Sequence, residues 1–376
     1  MGPRTLAAIS TVAAIAATAA CWGSAAAHGG APARTAFRSN GPSTSWRLTG
    51  SDAETRRLDI LRRAAVRLPP ASAPVRPPQP ASADLACRFL AGVPDGTSAK
   101  FDCVLEDGTV VKVKYGRNPE IHAEAAATRL LARLGYPADL VTLVPRLRCY
   151  GCPRYPFFAM RLVTLAGAAS RLTPHGYADG FSDFAWVAVE RRFPAAAIET
   201  PVQEGWAFFE LAQSHAPPAD LDALRLLAVF LAHWDNKAEN QRLVCLDAPG
   251  PAAGRDCATP LLMIQDLGAT FGPTKVSLAP WSLRPVWRDR ATCLVSMRDM
   301  PFDGGTFADT RISEAGRQTL GRALASLTAD EVRGLFRDAR FPEFHTATDD
   351  TRDLARWVDA FDHRVRQIED GPPCPG

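Results

Sequence analysis

The sequence predicts an α+β fold in which a small β-rich region precedes a mainly helical one. Three observations carry this expectation. Alternating apolar runs flank an Asp-Gly pair at 101–115, a hairpin signal. A capped helical pattern follows at 118–134. Beyond residue 200 the spacing predicts helices over Glu204–Ala212, Leu221–Ala232, Ser313–Leu327, Asp330–Asp338 and Asp350–Ile368, and Thr328-Ala329-Asp330-Glu331 reads as a capping box.

The chain has 376 residues, 47% apolar and 22% charged, enough for one large or two modest domains. A net charge of +3 is too small to imply nucleic acid or an anionic membrane as partner. Residues 1–27 read as a secretory signal peptide: Arg4, then the apolar, Ala-rich Thr5–Ala20, then Ala25-Ala26-Ala27 before His28. Export to a periplasm or the medium is therefore expected. A lipoprotein anchored through Cys21 ranks second, because Thr18-Ala19-Ala20 lacks the usual Leu. After the leader no 18-residue apolar run occurs, so no stable membrane span is expected.

Residues 28–84 read as an N-terminal extension: 28–50 without structure, 51–68 helical with several arginines, and 69–83 a Pro/Ala-rich, semi-rigid linker. Without Cys21 eight cysteines remain, at 87, 103, 149, 152, 245, 257, 293 and 374. An even count behind a leader implies disulfides. Cys245 and Cys257 bracket a Pro/Gly-containing insert and would close the mouth of a hairpin. Cys149 and Cys152 fit a tight disulfide, with a redox pair or half a zinc site as alternatives, although no second C-x-x-C is present. The full connectivity is not readable from spacing.

The elements of the β-rich region follow in order. Gly92–Lys100 is a glycine-containing loop whose Gly96, Thr97 and Ser98 could cradle phosphate through backbone amides. Phe101–Leu105 and Val110–Tyr115 are the hairpin strands, and alternation puts Lys112 and Lys114 on one face. Asn118-Pro119-Glu120 opens a helix, with Ile121, Ala125, Leu130, Leu131 and Leu134 at helical spacing and Gly135 as its stop. Glu120 and Glu124 share one face of it. Val141–Arg148 and Phe157–Val163 read as two further strands.

The densest chemistry lies at His233-Trp-Asp235-Asn-Lys237-Ala-Glu-Asn240, with Gln265-Asp266-Leu267-Gly268 beginning shortly after it. Phosphoryl transfer needs a carboxylate for the attacking hydroxyl, oxygen ligands for a metal on the phosphates, and a cation to neutralise charge. Asp235, Asn240 and Asp266 supply the oxygens and Lys237 the cation.

This stretch resembles the protein-kinase catalytic loop H-R-D-L-K-P-E-N, matching five of eight positions, and the second stretch resembles D-F-G. Val110–Lys114 is similar to the kinase strand V-A-V-K. The short distance from lysine to glutamate looks more like the compact lobes of atypical kinases, the HipA-like and phosphoinositide-kinase-like groups. The exported setting looks like the secretory-pathway kinases.

The resemblance implies a two-lobed protein-kinase-like fold, with a small lobe at 85–163, a helical lobe at 164–376 and a hinge at 163–169. It implies ATP and Mg²⁺ as cofactors. Lys114 would anchor phosphates and pair with Glu124, or with Glu120. Asp235 and Lys237 would be catalytic, and Asn240 and Asp266 would hold the metal. Lys112 departs from the pattern by standing where a small residue usually packs on adenine, which leaves open that it is the functional lysine. No A-P-E motif follows Asp266, so a peptide acceptor is not implied, and protein and small-molecule acceptors stay open. The segment 270–305, with Trp281, Arg284, Trp287, Arg288 and Arg290, would line the acceptor side or pack on a helical surface.

Two functional classes follow: an active phosphotransferase, and an exported pseudokinase that binds without turnover. The joint presence of Lys114, Glu124, Asp235, Asn240 and Asp266 favours the first. A hydrolase is disfavoured by the lack of G-x-S-x-G.

Overall fold

The expected hairpin at 101–115 forms the middle of a closed five-stranded barrel. A computed structural model of the chain describes residues 45–69, 84–92, 96–165, 180–247, 257–273, 275–301, 307–343 and 352–375. The expected leader, Cys21 and nearly all of the linker lie outside them. In chain order the main elements are β1 (Ser45–Arg47), α1 (Ala53–Arg63), β2 (Leu85–Leu90), β3 (Lys100–Leu105), β4 (Val110–Lys114), α2 (Glu120–Leu134), β5 (Leu140–Tyr150), α3 (Pro156–Leu165) and β6 (Phe181–Arg191). There follow β7 (Ala196–Glu199), α4 (Pro218–Leu231), β8 (Gln241–Cys245), β9 (Pro260–Ile264), α5 (Leu278–Leu283), β10 (Leu294–Val295), β11 (Thr310–Arg311), α6 (Glu314–Ala325), α7 (Ala329–Asp338) and α8 (Leu354–Glu369).

The barrel runs β2-β3-β4-β6-β5 and closes where β2 pairs in parallel with β5. Alternation along β3 and β4 puts Phe101, Cys103, Leu105, Val111 and Val113 into its interior. The same alternation turns Lys100, Asp102, Lys112 and Lys114 to the opposite face. From β6 the chain crosses through Arg192–Ala195 into a second sheet, ordered β1-β7-β8-β9, which meets α1 at β9 and sends Ile198, Leu243, Leu262 and Ile264 into the larger core. The larger core there is aromatic, with Trp206, Phe230, Phe271, Trp281, Phe336, Phe341, Trp357 and Phe361 all fully buried.

Two expected elements are corrected. Residues 157–163 lie in helix α3, not a strand. A short apolar run cannot be assigned by period, and Pro156 at its first position suits a helix. The fifth barrel strand is β6 instead, which extends the barrel past residue 163 to Arg191. Its burial runs unbroken from Val187 to Glu190, and Trp186 has φ 50°, so no alternation advertised it. Of the hinge expected at 163–169, residues 163–165 lie in α3 and 166–169 fall outside the described residues. Residues 204–212 form no α-helix: Gly205 is left-handed at φ 69°, and only a 3₁₀ turn forms, at Phe208–Gln213.

The segment expected as an extension is built into the second sheet. Ile60 and Leu61 of α1 are buried, the Ala65 N–H donates to Pro260 O at 2.9 Å, and the Leu262 N–H donates to Ala65 O at 2.8 Å.

All eight cysteines pair, as Cys87–Cys103, Cys149–Cys152, Cys245–Cys257 and Cys293–Cys374. The last closes the longest loop, with a sequence separation of 81. Chain-entropy arguments put such a crosslink at roughly 4 kcal/mol. Replacing Cys293 and Cys374 by Ser should lower unfolding free energy by about that amount in urea titrations. Among the described residues no helix is long and apolar enough to cross a membrane.

Candidate functional site

The loop at 233–240 hangs from the end of α4. Every residue from Leu226 to Leu231 is buried, and Ala232 turns left-handed at φ 54° to end the helix. Buried Arg364 caps that end: its guanidinium donates to Val229 O and Phe230 O, each at 3.0 Å. His233 then turns inward, its Nε2 2.9 Å from Asp266 O. Asn236 Nδ2 donates to His233 O at 2.7 Å, and Asn240 Nδ2 to Asp235 O at 2.8 Å. The Gln265 and Asp266 amides donate to Asn240 O at 3.1 and 3.2 Å. The two stretches singled out in the sequence are thereby stitched into one unit. Lys237 Nζ lies 3.6 Å from Asp235 Oδ1.

Burial drives the His233 pKa down to about 4, so the ring is neutral, and facing a carbonyl it must carry its proton on Nε2. An unfolded histidine titrates near 6.5. The folded value is depressed, so its contribution to stability is complete above pH 6.5 and disappears as the pH falls to about 4, a loss of about 3 kcal/mol. The stability difference between the native protein and His233→Gln should shrink over that window in urea titrations; a constant difference would show the ring to be charged.

The opposite wall comes from the barrel. Lys114 Nζ reaches both oxygens of Glu124, at 2.6 and 2.7 Å. It also lies 3.6 Å from Glu190 and 4.0 Å from Asp266. Glu124, not Glu120, is thus the lysine's partner. Glu120 instead accepts from Ser98 Oγ at 2.8 Å and Asn118 Nδ2 at 2.9 Å. Lys112 pairs with Glu190 at 2.7 Å, its register partner on β6.

These contacts polarise the titrations. Burial opposes the charge on Lys114, yet Glu124, Asp266 and Glu190 hold it well above the ordinary lysine value. Burial pushes Glu124 up, to about 7, against the pull of Lys114. Burial also works against ionised Asp266, but Lys114, the Gly268 amide, Lys112 and Lys100 bring it down to about 2. Burial raises Asp235, with Lys237 opposing.

One cavity of about 720 Å³ joins the two walls. All ten expected residues line it: Gly96, Thr97, Ser98, Lys112, Lys114, Glu124, Asp235, Lys237, Asn240 and Asp266. Trp281, Arg284, Trp287, Arg288 and Arg290 are not among its lining residues. Trp281 and Trp287 are core residues whose indoles donate to Phe230 O and Gln367 O, and Arg284 and Arg288 pair with Asp299 and Asp309.

Sequence reasoning missed Glu190, Asp139 and Lys100. Glu190 sits on the strand that went unrecognised. Asp139 accepts from the Phe193 amide at 2.7 Å and Gln265 Nε2 at 3.2 Å, and burial and then Glu190 raise it to about 6. Lys100 was legible, since hairpin register alone sets it opposite Lys114.

No family model and no curated protein matches the chain. Among solved structures it is similar to a Helicobacter pylori proinflammatory kinase, CtkA, with a TM-score of 0.42 at 8% identity, covering 76% of this chain and 98% of that one. It is also similar to the Golgi casein kinase, with a TM-score of 0.33 at 11% identity, covering 87% and 77%. The same kinase with Mn/ADP bound gives 0.33 at 12% identity, covering 87% and 78%. Likenesses this distant carry no functional weight, so the chemistry is read from the site itself.

Proposed function

We propose that the chain is an atypical, two-lobed kinase that transfers the γ-phosphoryl group of ATP, with Mg²⁺, to a hydroxyl acceptor. The carrying observation is the cavity in which the Lys114–Glu124 pair faces Asp266, Asn240 and Asp235. On this reading the barrel is the small lobe, the residues after Arg192–Ala195 form the large lobe, and the nucleotide lies between them. Four disulfides support an exported protein.

The donor set fits a hard divalent cation. Asp266 keeps one carboxylate oxygen on the Gly268 amide, at 3.2 Å, and has the other to offer. Asn240 commits its amide nitrogen to Asp235 O, leaving its carbonyl oxygen as a ligand. Two oxygens of this kind suit Mg²⁺ or Mn²⁺ shared with phosphates. Such an ion, when bound, would neutralise charge on the phosphate chain.

The protein's own residues do the rest. Lys114, fixed by Glu124, anchors the α- and β-phosphates. Asp235 orients the acceptor hydroxyl and receives its proton late, since a loose transition state demands little base strength. Lys237, half-exposed beside Asp235, contacts the transferring group.

Thermal-shift titration of the mature protein with Mg-ATP tests the reading. A rise in Tm that disappears in Asp266→Ala is expected. Phosphoryl transfer to the protein itself or to an added acceptor then separates an enzyme from an exported pseudokinase; no response to Mg-ATP would overturn both.

A further inference from the structure

We propose that Lys100, which no part of the mechanism above uses, binds the phosphate chain directly, and that its ammonium is the lysine contact left open for an incoming anion. The inference rests on the phosphotransferase reading only for the identity of the site.

Three lysines share the outward face of the β3–β4 hairpin. Two are already occupied: Lys114 by both oxygens of Glu124, at 2.6 and 2.7 Å, and Lys112 by Glu190, at 2.7 Å. Lys100 makes no hydrogen bond and no ion pair among the described residues. It is half-buried, lines the same cavity, and stands directly opposite Lys114 in the strand register.

Like charges facing each other across two strands destabilise a sheet. Glu124, Glu190 and Asp266 offset the charge of Lys114, whereas Lys100 has no carboxylate at ion-pair distance among the described residues, and a bound anion would give it one. The roof above Lys100 is shaped for it. Gly96 has φ 73°, and a Cβ there would lie only 3.2 Å from Lys100 Nζ. A glycine therefore leaves room for the ammonium beneath the 96–98 turn, beside backbone amides that can also meet phosphate. Burial, and then Lys112 and Lys114, lower the Lys100 pKa, with Asp266 and Glu190 opposing. Its charge should consequently be lost at lower pH than that of Lys114, weakening anion binding as the pH rises.

The chemistry is that of a di- or triphosphate group. A nucleotide and an inorganic polyphosphate both carry it, and the experiment separates them. The full chain, Lys100→Met and Lys100→Arg are titrated by thermal shift with inorganic triphosphate and with Mg-ADP. Lys100→Met should lose about tenfold or more in affinity for both probes, as expected on removing a charge-assisted hydrogen bond. Lys100→Arg should keep most of it. The ligand-free Tm of Lys100→Met should stay level or rise, because a repulsion has been removed. Should that variant not fold, Lys100→Gln carries the same comparison.

Tighter binding of Mg-ADP than of triphosphate assigns the site to a nucleotide, and equal binding assigns it to a polyphosphate. If Lys100→Met binds both probes as the native chain does, the inference is wrong while the phosphotransferase reading survives. Lys100-dependent binding without any phosphoryl transfer leaves the inference standing and removes the enzyme. Failure of the native chain to bind either probe removes both.

Discussion

Asp235→Ala should lose phosphoryl transfer by about 10²–10⁴-fold, the usual range for a positioned proton acceptor, while Mg-nucleotide binding stays nearly unchanged. Asp266→Ala should abolish metal-dependent binding itself. The contrast follows from where the two carboxylates sit. Asp235 faces Lys237 at 3.6 Å, and its backbone carbonyl accepts from Asn240 Nδ2 at 2.8 Å. Asp266 lies 4.0 Å from Lys114 and is pulled down to about 2, so it is ionised at any working pH and available to a cation. Isothermal titration with Mg-ADP, run beside a turnover assay, separates the two losses. Equal loss of binding in both variants would mean that the two aspartates have been given each other's roles.

The polar constellation was legible in the sequence because its residues are consecutive or set by strand register. Asp235, Lys237 and Asn240 fall in one short loop, and Lys112 and Lys114 share a face by alternation. The preferred partner of Lys114, Glu124, is the one it reaches, at 2.6 Å. What was not legible is where Glu120 goes, since Ser98, remote in the chain, and Asn118 take it up. Non-local pairings were hidden for the same reason. Nothing in Phe181–Arg191 alone says that it closes a barrel, since its burial depends on β4 and β5, remote in the chain. The apolar residues of Pro156–Leu165 satisfied a strand template and a helix template equally. Lys100 was passed over because the loop and the strand were treated separately, whereas the hairpin register extends one pair further, to Lys100 and Lys114.

Arg57→Ala should destabilise the protein by about 3–5 kcal/mol, the usual cost of stranding one member of a buried ion pair. Arg57 is 1% exposed, in a helix whose sequence suggested only an extension. Its guanidinium pairs with buried Glu210, donates to Glu54 at 3.1 Å and to Gly205 O at 3.1 Å. Glu210 in turn accepts from Gln203 Nε2 and the Ala207 amide, each at 2.8 Å. Gly205 is the point of transmission. A Cβ there would lie 2.1 Å from both Ala238 O and Gln241 O, so its backbone presses against the turn that ends at Asn240. The segment after α1 joins β9, which leads to Asp266. Residues 53–68 therefore brace the turn that ends at Asn240 and the strand that leads to Asp266. Replacing Arg57 by Met together with Glu210 by Gln leaves no charge stranded and should cost much less than Arg57→Ala alone, as read from urea denaturation. A chain beginning at residue 70 should fail to fold, because β9 loses its neighbour and Glu210 its cation. Native stability in that truncation, measured by the same titration, would show that the segment only rests on the surface.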